Sequence, residues 1–514
     1  TRMDDYKETL HNLQKHDQEH LLTYYNELEP AQKTKLLNDL KKLDLQNIAG
    51  MENIRQQSIK LSSHSGKLDS KMHPIPQEQF GSVTRSARTD VAKWEKEGLK
   101  KISEGKVAVL LLAGGQGTRL GVKYPKGMYN VGTQSQKTLY QIKAERIRRL
   151  QDLAYERTGR RGIIPWYIMT SEATMSQTKE FFDKNDYFGL LQKNVVFFEQ
   201  STLPCLDFNG KIFLSEKHKI AAAPDGNGGL YKALVHWNIL DDMDKRGIEC
   251  THVHCVDNIL IRMADPVFIG FCSLHNADCG AKVVEKSSPT ESVGVVCRVG
   301  DVYQVVEYSE VSEETAKKRD ESGRLVFNAG NICNHYFTVP FLKTVCSLKD
   351  LPHHVAKKKI PHIDSKTGEK ITPTTPNGIK MEKFVFDVFQ FSKNFVVLDV
   401  PREDEFSPLK NAEGADSCSP RHSRWTLSSL HHRRLVEAGG TIVDENGVEI
   451  KPLNGFSSLL CYSVNQYEGE YPVVCEISPL LSYDGEGLEK FVKGKTFRSP
   501  VILSEDLIKN GNVE

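Results

Sequence analysis

The chain has 514 residues, 39% of them apolar and 26% charged, with a formal net charge of +1. That length exceeds one ordinary hydrophobic core, so two or three domains are expected. The near-neutral charge gives no electrostatic ground for a nucleic-acid partner, and no apolar run is long enough to span a bilayer, so no membrane partner is expected either. Eleven cysteines without a Cys-x-x-Cys pair suit reduced thiols better than a disulfide framework or a zinc site. With no signal-peptide pattern at the start, the expected location is cytoplasmic.

Residues 4–43 are charged and punctuated by leucine. Tyr6, Leu10 and Leu13 stand at i, i+4 and i+7, Leu22 and Tyr25 extend the stripe, and Pro30 opens a second helix carrying Leu36, Leu37, Leu40 and Leu43. Such a pair binds a partner or packs on the main domain, and packing is the commoner use. Residues 62–82, rich in Ser, Gly, His and Pro, read as a loop. Residues 90–102 read as a helix with Val91, Trp94 and Ile102 on one face, closed by Gly105.

Six apolar residues, 107–112, then run without interruption into Gly114-Gly115-Gln116-Gly117, followed by Arg119 and by Lys126 behind Pro125. An unbroken apolar run bounded by glycine predicts a strand buried on both faces of a parallel sheet. The glycines allow a tight turn and a close approach of backbone N–H groups to an anion. Strand, glycine loop and two cations point to a nucleotide and its phosphates. By themselves they also fit a strand-to-helix turn with two solvated cations. The dinucleotide fingerprint fails because Leu120 stands at its third glycine, and the P-loop fails because Lys126 follows Pro125.

Beyond this stretch the rhythm is strand (163–170), helix (174–184), strand (194–200), helix (230–243) and strand (251–256), the last ending in Asp257. Strands alternating with helices imply a mainly parallel sheet, whose ligands bind past the carboxyl ends of strands. Gly115, Gln200 and Asp257 all fall at such ends. Between 280 and 340 helices are not expected, and short strands are read at 283–285, 294–299, 302–308 and 325–327. Residues 380–391 read as a helix. A polar boundary at 411–420 precedes an α+β segment, with a helix started by Ser419-Pro420 and stopped by Gly439-Gly440, and a hairpin turn at 444–447.

The blocks Leu112-Ala113-Gly114-Gly115-Gln116-Gly117-Thr118-Arg119-Leu120, Tyr124-Pro125-Lys126-Gly127, Ala223-Pro224-Asp225-Gly226-Asn227-Gly228-Gly229, Cys255-Val256-Asp257-Asn258, Val305-Val306-Glu307-Tyr308, Phe327-Asn328-Ala329-Gly330-Asn331 and Phe406-Ser407-Pro408-Leu409-Lys410 occur in this order. Together they resemble the eukaryotic UDP-N-acetylhexosamine (UDP-N-acetylglucosamine) pyrophosphorylases of the UDPGP type 1 family, over residues 15–510. The resemblance implies an α/β fold with a Rossmann-like, mainly parallel, GT-A-like nucleotidyltransferase core. The expected domains are a helical N-terminal region (1–104), the catalytic domain (105–412) and a small α+β domain (413–514). No hexapeptide repeat marks a β-helix acetyltransferase domain like that of the bifunctional bacterial relatives.

The implied reaction joins UTP to N-acetylglucosamine 1-phosphate, with N-acetylgalactosamine 1-phosphate as a second candidate, and releases pyrophosphate with Mg²⁺ as cofactor. By resemblance, the backbone of Leu112, Ala113, Gly114 and Gly115 and the amide of Gln200 serve uracil, with Gly226 flat against the base. Lys126 holds the α-phosphate, Arg119 the leaving pyrophosphate and Asp257 the metal. Lys380 and Lys410 close over the phosphates from the opposite wall, and Asn227, Gly294, Glu307, Tyr308 and Asn331 face the sugar. One carboxylate suffices, because Mg²⁺ takes few protein ligands and keeps water and phosphate on its other positions; Asp225 is a weaker second ligand. The pairs His353-His354 and His431-His432 lack partner ligands and read as surface or packing residues. The family includes monomers and dimers, so a homodimer is among the expectations. The alternatives are a broader UDP-sugar or UDP-glucose pyrophosphorylase, and a catalytically weak nucleotide-binding scaffold.

Overall fold

A computed structural model describes residues 2–46, 48, 66–348, 351–453 and 469–510. Contacts within it divide the chain into two units. The smaller comprises Thr1–Lys67, Gln200–Ala233 and Leu348–Asp387, and the larger Leu68–Glu199, Leu234–Ser347 and Val388–Glu514. Each is assembled from separated segments, so this division crosses the boundaries expected at 104/105 and 412/413.

The larger unit is built on an eleven-stranded sheet. Numbered in chain order, its strands are β1 (Met72–His73), β2 (Phe80–Ser82), β3 (Val107–Leu112), β4 (Trp166–Thr170), β5 (Val195–Glu199), β6 (Cys250–Cys255), β7 (Cys279–Glu285), β8 (Val295–Val299), β9 (Val302–Val306), β10 (Ala329–Thr338) and β11 (Phe395–Asp399). The order is β2-β11-β7-β10-β6-β3-β4-β5, with β8 pairing with β1, β9 and β10. Along the main path every pairing is parallel except the two flanks of β10. All six residues of β3 are buried, as a strand covered on both faces must be. Each such Val or Leu side chain contributes about 2 kcal/mol on leaving water. The mainly parallel α/β core agrees with the expected fold class.

Several local expectations are corrected. Residues 230–243 form two helices, Leu230–His236 and Ile239–Lys245, because Asn238 adopts a left-handed conformation (φ 53°) and breaks the run. Residues 66–82 are not merely loop but contain β1 and β2; 62–65 lie outside the described residues. The 280–340 region does contain a short helix, Glu313–Lys317, while 325–327 reduces to a single bridge from Leu325 to Arg319. The ten-residue β10 was hidden in the polar block around Asn328 and Asn331.

The C-terminal segment of this unit is α+β as expected. Helix Pro420–Glu437 carries a capping box from Ser419. Its Trp425 and Leu435 pack with Ile442, Val473, Leu488 and Val501. The turn at 444–447 closes with Ile450 N–H donating to the Ile442 carbonyl at 2.8 Å.

In the smaller unit, helices Arg2–Lys15 and Pro30–Lys41 place Leu13, Leu36, Leu37 and Leu40 against Leu206, Ile212, Leu214, Ile379 and Met381. This is the packing use of the helix pair. The first helix does not extend through Leu22 and Tyr25: a left-handed Asp17 (φ 57°) ends it and two 3₁₀ turns follow. The helix expected over 380–391 is instead strand Gly378–Glu382 followed by a 3₁₀ turn, Val385–Phe391. Ile379 and Met381 point into the core, so Lys380 alternates to the other face.

Candidate active site

The larger unit gathers three segments that are far apart in sequence. The glycine loop leaves β3 at Leu112, where Ala113 N–H donates to the Met169 carbonyl at 2.8 Å. The Ser171 hydroxyl donates to the Gly114 carbonyl at 2.8 Å. Further on, the loop folds back: Gln116 and Pro125 form a bridge, and Lys126 N–H donates to the Gly115 carbonyl at 3.3 Å. Arg119 stands exposed on a 3₁₀ turn, whereas Lys126 is half-buried.

Asp257 lies two residues past β6, half-buried. The next residue anchors the third segment: the Asn258 amide donates to the Glu405 carbonyl at 2.7 Å and accepts from Ser407 N–H at 2.9 Å. Leu409 N–H then donates to the Asp257 carbonyl at 2.9 Å, and Lys126 Nζ donates to the Leu409 carbonyl at 3.3 Å. Lys126, Asp257 and Lys410 thus meet around Leu409. A buried cation fixes this arrangement from below: Lys282 Nζ lies 2.6 Å from both Asp265 and Glu405. Burial alone would raise the Asp265 carboxyl, but Arg262 and Lys282 hold it down at about 2. Ser171, Asn258 and Lys282 were not singled out for these roles by the sequence, because isolated polar residues near strand ends carry no signal of what they bind. Beneath Asp257 lies a further buried cation, Lys143, whose Nζ donates to the Asn258 carbonyl at 3.3 Å. Burial, with Arg146 nearby, lowers its ammonium to about 7.

On the neighbouring strands, Asn331 N–H donates to the Gly294 carbonyl at 2.8 Å. A Cβ on Gly294 would lie 3.3 Å from Glu307 Oε1, so these three expected sugar residues cluster. Tyr308 follows Glu307 on the surface, 47% exposed.

A Cβ built on Gly115 meets nothing within 4 Å, so the space beside this backbone is open. Gly115→Ala is expected to leave folding stability within about 1 kcal/mol of the parent. The added methyl should weaken UTP binding by on the order of 10-fold, the loss of one close backbone contact. Calorimetric titration with UTP beside a thermal melt checks this; unchanged affinity would mean that the loop does not approach the nucleotide.

The smaller unit brings together Gln200, Asp225, Gly226 and Asn227. Gln200 Nε2 donates to Asp225 Oδ1 at 3.3 Å and to the Gly226 carbonyl at 3.0 Å. Gly226 has φ 82°, and a Cβ there would lie 2.4 Å from the Lys383 carbonyl oxygen, so both conformation and contact require glycine. Asn227 Oδ1 accepts from Val385 N–H at 2.9 Å. Lys380 sits on its strand opposite Ala356, half-buried.

Asp225 is 2% exposed, and burial pushes its carboxyl up to about 6 against the partial opposition of Gln200 and Lys383. Its folded pKa lies above the unfolded value. The stabilisation it gives is therefore full below about pH 4 and is lost as pH rises through about 6. Relative to the parent, Asp225→Asn should gain about 2–3 kcal/mol of stability between about pH 4 and pH 7. Urea unfolding of both proteins at the two pH values checks this; a constant difference would show that folding leaves the Asp225 carboxyl unshifted. Of the histidine pairs, His432 is a packing residue, buried with Nδ1 3.0 Å from the Tyr471 hydroxyl, whereas His354 stays partly exposed, with Nε2 3.0 Å from Asp387 Oδ1.

A mainly parallel sheet whose strand ends carry a glycine loop, a carboxylate and convergent lysines defines an α/β protein of the nucleotidyltransferase class. A family model described as UTP–glucose-1-phosphate uridylyltransferase, UDPGP, matches residues 49–443, and the chain belongs to this family. It is 55% identical over 487 residues to the UDP-N-acetylhexosamine pyrophosphorylase-like protein 1 of Xenopus tropicalis, covering 94% of this chain and 93% of that protein. It is 39% identical to the UDP-N-acetylglucosamine pyrophosphorylase of Saccharomyces cerevisiae, covering 96% of each. The crystal structure of the uridine diphosphate N-acetylglucosamine pyrophosphorylase of Trypanosoma brucei in complex with an inhibitor superposes with a TM-score of 0.76 at 30% identity, over 94% of each chain. These relatives bear out the resemblance read from the sequence motifs.

Proposed function

We propose that the chain is a uridylyltransferase that converts UTP and an N-acetylhexosamine 1-phosphate, N-acetylglucosamine 1-phosphate foremost, to the UDP-sugar and pyrophosphate. The observation that carries this reading is the meeting of Lys126, Asp257 and Lys410 around Leu409. Residues from three distant segments are joined there, through the Lys126 ammonium, the Asp257 backbone and the chain just before Lys410, beside an open glycine loop.

The nucleophile is a phosphate oxygen of the sugar phosphate and is already an anion. No base and no covalent enzyme intermediate is needed, and the work is to bring two polyanions together and hold the charge that moves to pyrophosphate. In this reading the loop N–H groups orient the nucleotide, Lys126 holds the α-phosphate, and Arg119 stabilises the departing pyrophosphate. Lys410 neutralises the sugar phosphate, and Gly294, Glu307 and Asn331 position the sugar. Within the smaller unit, the Gln200 amide and Gly226 are assigned to uracil, Asn227 to sugar and Lys380 to phosphate.

The Asp257 carboxylate fits a hard divalent cation: it is half-buried at a strand end, and among the described residues no lysine or arginine forms an ion pair with it. Bound there, Mg²⁺ would neutralise phosphate charge as a Lewis acid. Asp225, buried against Gln200, is left out of that site. A cytoplasmic location belongs to the same reading, supported by the buried thiols of Cys250, Cys272 and Cys279.

The test is product identity. Purified protein given UTP, Mg²⁺ and equal amounts of N-acetylglucosamine 1-phosphate and glucose 1-phosphate should yield mainly UDP-N-acetylglucosamine by mass spectrometry. UDP-glucose as the main product would overturn the sugar assignment.

A further inference from the structure

Where β10 passes β6 and β7, the ladder is irregular. Ala281 pairs with His335 but Val283 pairs with Asn331, so β10 spends two more residues than β7 across this interval. Cys333 lies within the bulge at φ 51°, a left-handed conformation uncommon for a residue with a side chain. Its N–H donates to Asn331 Oδ1 at 3.3 Å. On the other side, the β6–β10 ladder ends at the His254–Asn334 pair. The bulge therefore aims Cys333 at the last residue of β6, and its Sγ lies 3.0 Å from the Cys255 Sγ. Both cysteines are partly exposed, whereas Cys205, Cys250, Cys272, Cys279, Cys297 and Cys475 are buried. Strained backbone concentrates where a site has a use for it.

We infer that Cys255 and Cys333 form a reversible dithiol–disulfide site, oxidised by low-molecular-weight disulfides. One protein thiolate attacks the small disulfide, forming a mixed disulfide and expelling one small thiol. The second protein thiolate then attacks the mixed disulfide, forms the Cys255–Cys333 bond and expels the second small thiol. Two protein sulfurs are oxidised, the small disulfide is reduced by the same electron pair, and both thiol protons end on the released thiols. The bond would tie the end of β6 to the bulge of β10. Cys255 is two residues before Asp257 and Cys333 two residues after Asn331. A covalent tie there shifts the strand end that carries the Asp257 carboxylate against the strand that carries Asn331. Its consequence for turnover rests on the proposed uridylyltransferase reading; formation of the bond does not.

The full chain is incubated with glutathione disulfide, alkylated and digested. The expected result is one cross-linked peptide pair joining Cys255 and Cys333, with the loss of two hydrogens, reversed by dithiothreitol. Turnover should fall by on the order of 10-fold or more in the oxidised protein, since small misplacements in a site cost about that much or more, and recover on reduction. Cys255→Ser and Cys333→Ser should each abolish the cross-link and keep turnover under the oxidant. Glutathione adducts without the cross-link, or a cross-link to another cysteine, would each overturn the inference; a Cys255–Cys333 bond that leaves turnover unchanged would overturn its stated effect on the site. The peptide readout stands on the parent protein alone, so a variant that does not fold leaves the test decisive. A protein without turnover that still forms the bond would count against the proposed function and not against the thiol site.

Discussion

Lys126→Ala is expected to lower turnover by on the order of 10²-fold or more while leaving the fold intact. The loop that carries Lys126 is closed independently of its side chain, by the Gln116–Pro125 bridge and by the N–H bond to Gly115. Its ammonium rests on the Leu409 carbonyl rather than on a carboxylate, so no ion pair has to break before it meets a phosphate. A neutral carbonyl is a weak competitor for an ammonium against a phosphate anion. Removing the cation withdraws charge where charge develops and takes little from folding. Lys126→Arg keeps the charge but replaces a compact ammonium by a planar fork, and should recover only part of the loss. Turnover from pyrophosphate release at saturating substrates, beside a thermal melt, checks both variants; parental turnover in Lys126→Ala would remove Lys126 from the reaction.

Asp257→Asn should lower turnover by about 10²–10³-fold and raise the Mg²⁺ concentration needed for half-maximal activity. The substitution is nearly isosteric, and the local backbone is held by other groups: the Asp257 carbonyl accepts from Leu409 N–H, and Asn258 ties down 405–407. The lost quantity is the carboxylate charge itself. A site with a single protein carboxylate has no substitute for it. A Mg²⁺ titration of the steady-state rate in parent and variant separates this role from a structural one. An unchanged half-maximal Mg²⁺ concentration would place the metal elsewhere.

What was legible in the sequence follows from how each element is buried. β3 could be read because a strand covered on both faces must be apolar throughout, and the glycines mark where it turns toward the site. Asp257 could be placed from the alternation of strands and helices, at the end of β6, although that strand buries Thr251, His252 and His254 and is not apolar throughout. The meeting of residues 126, 257 and 410 could not be derived from spacing. It depends on Asn258 and on the buried Lys282–Glu405 pair, which in sequence are ordinary polar residues. β10 escaped because an antiparallel strand inserted among parallel ones, with a bulge, has no continuous apolar run. Residues 380–391 misled because aromatic residues at near-helical spacing follow a segment whose Ile379 and Met381 alternate into a sheet core. The smaller unit was invisible as a unit, since its three segments lie more than a hundred residues apart and only tertiary contacts join them.

The most direct test of the central claim is steady-state pyrophosphate release by the purified chain with UTP and Mg²⁺, supplied in turn with N-acetylglucosamine 1-phosphate, N-acetylgalactosamine 1-phosphate and glucose 1-phosphate. Release with an N-acetylhexosamine 1-phosphate, with little from glucose 1-phosphate, is the predicted result. No release with any sugar phosphate, in protein that still binds UTP, would contradict it and leave a nucleotide-binding scaffold in its place.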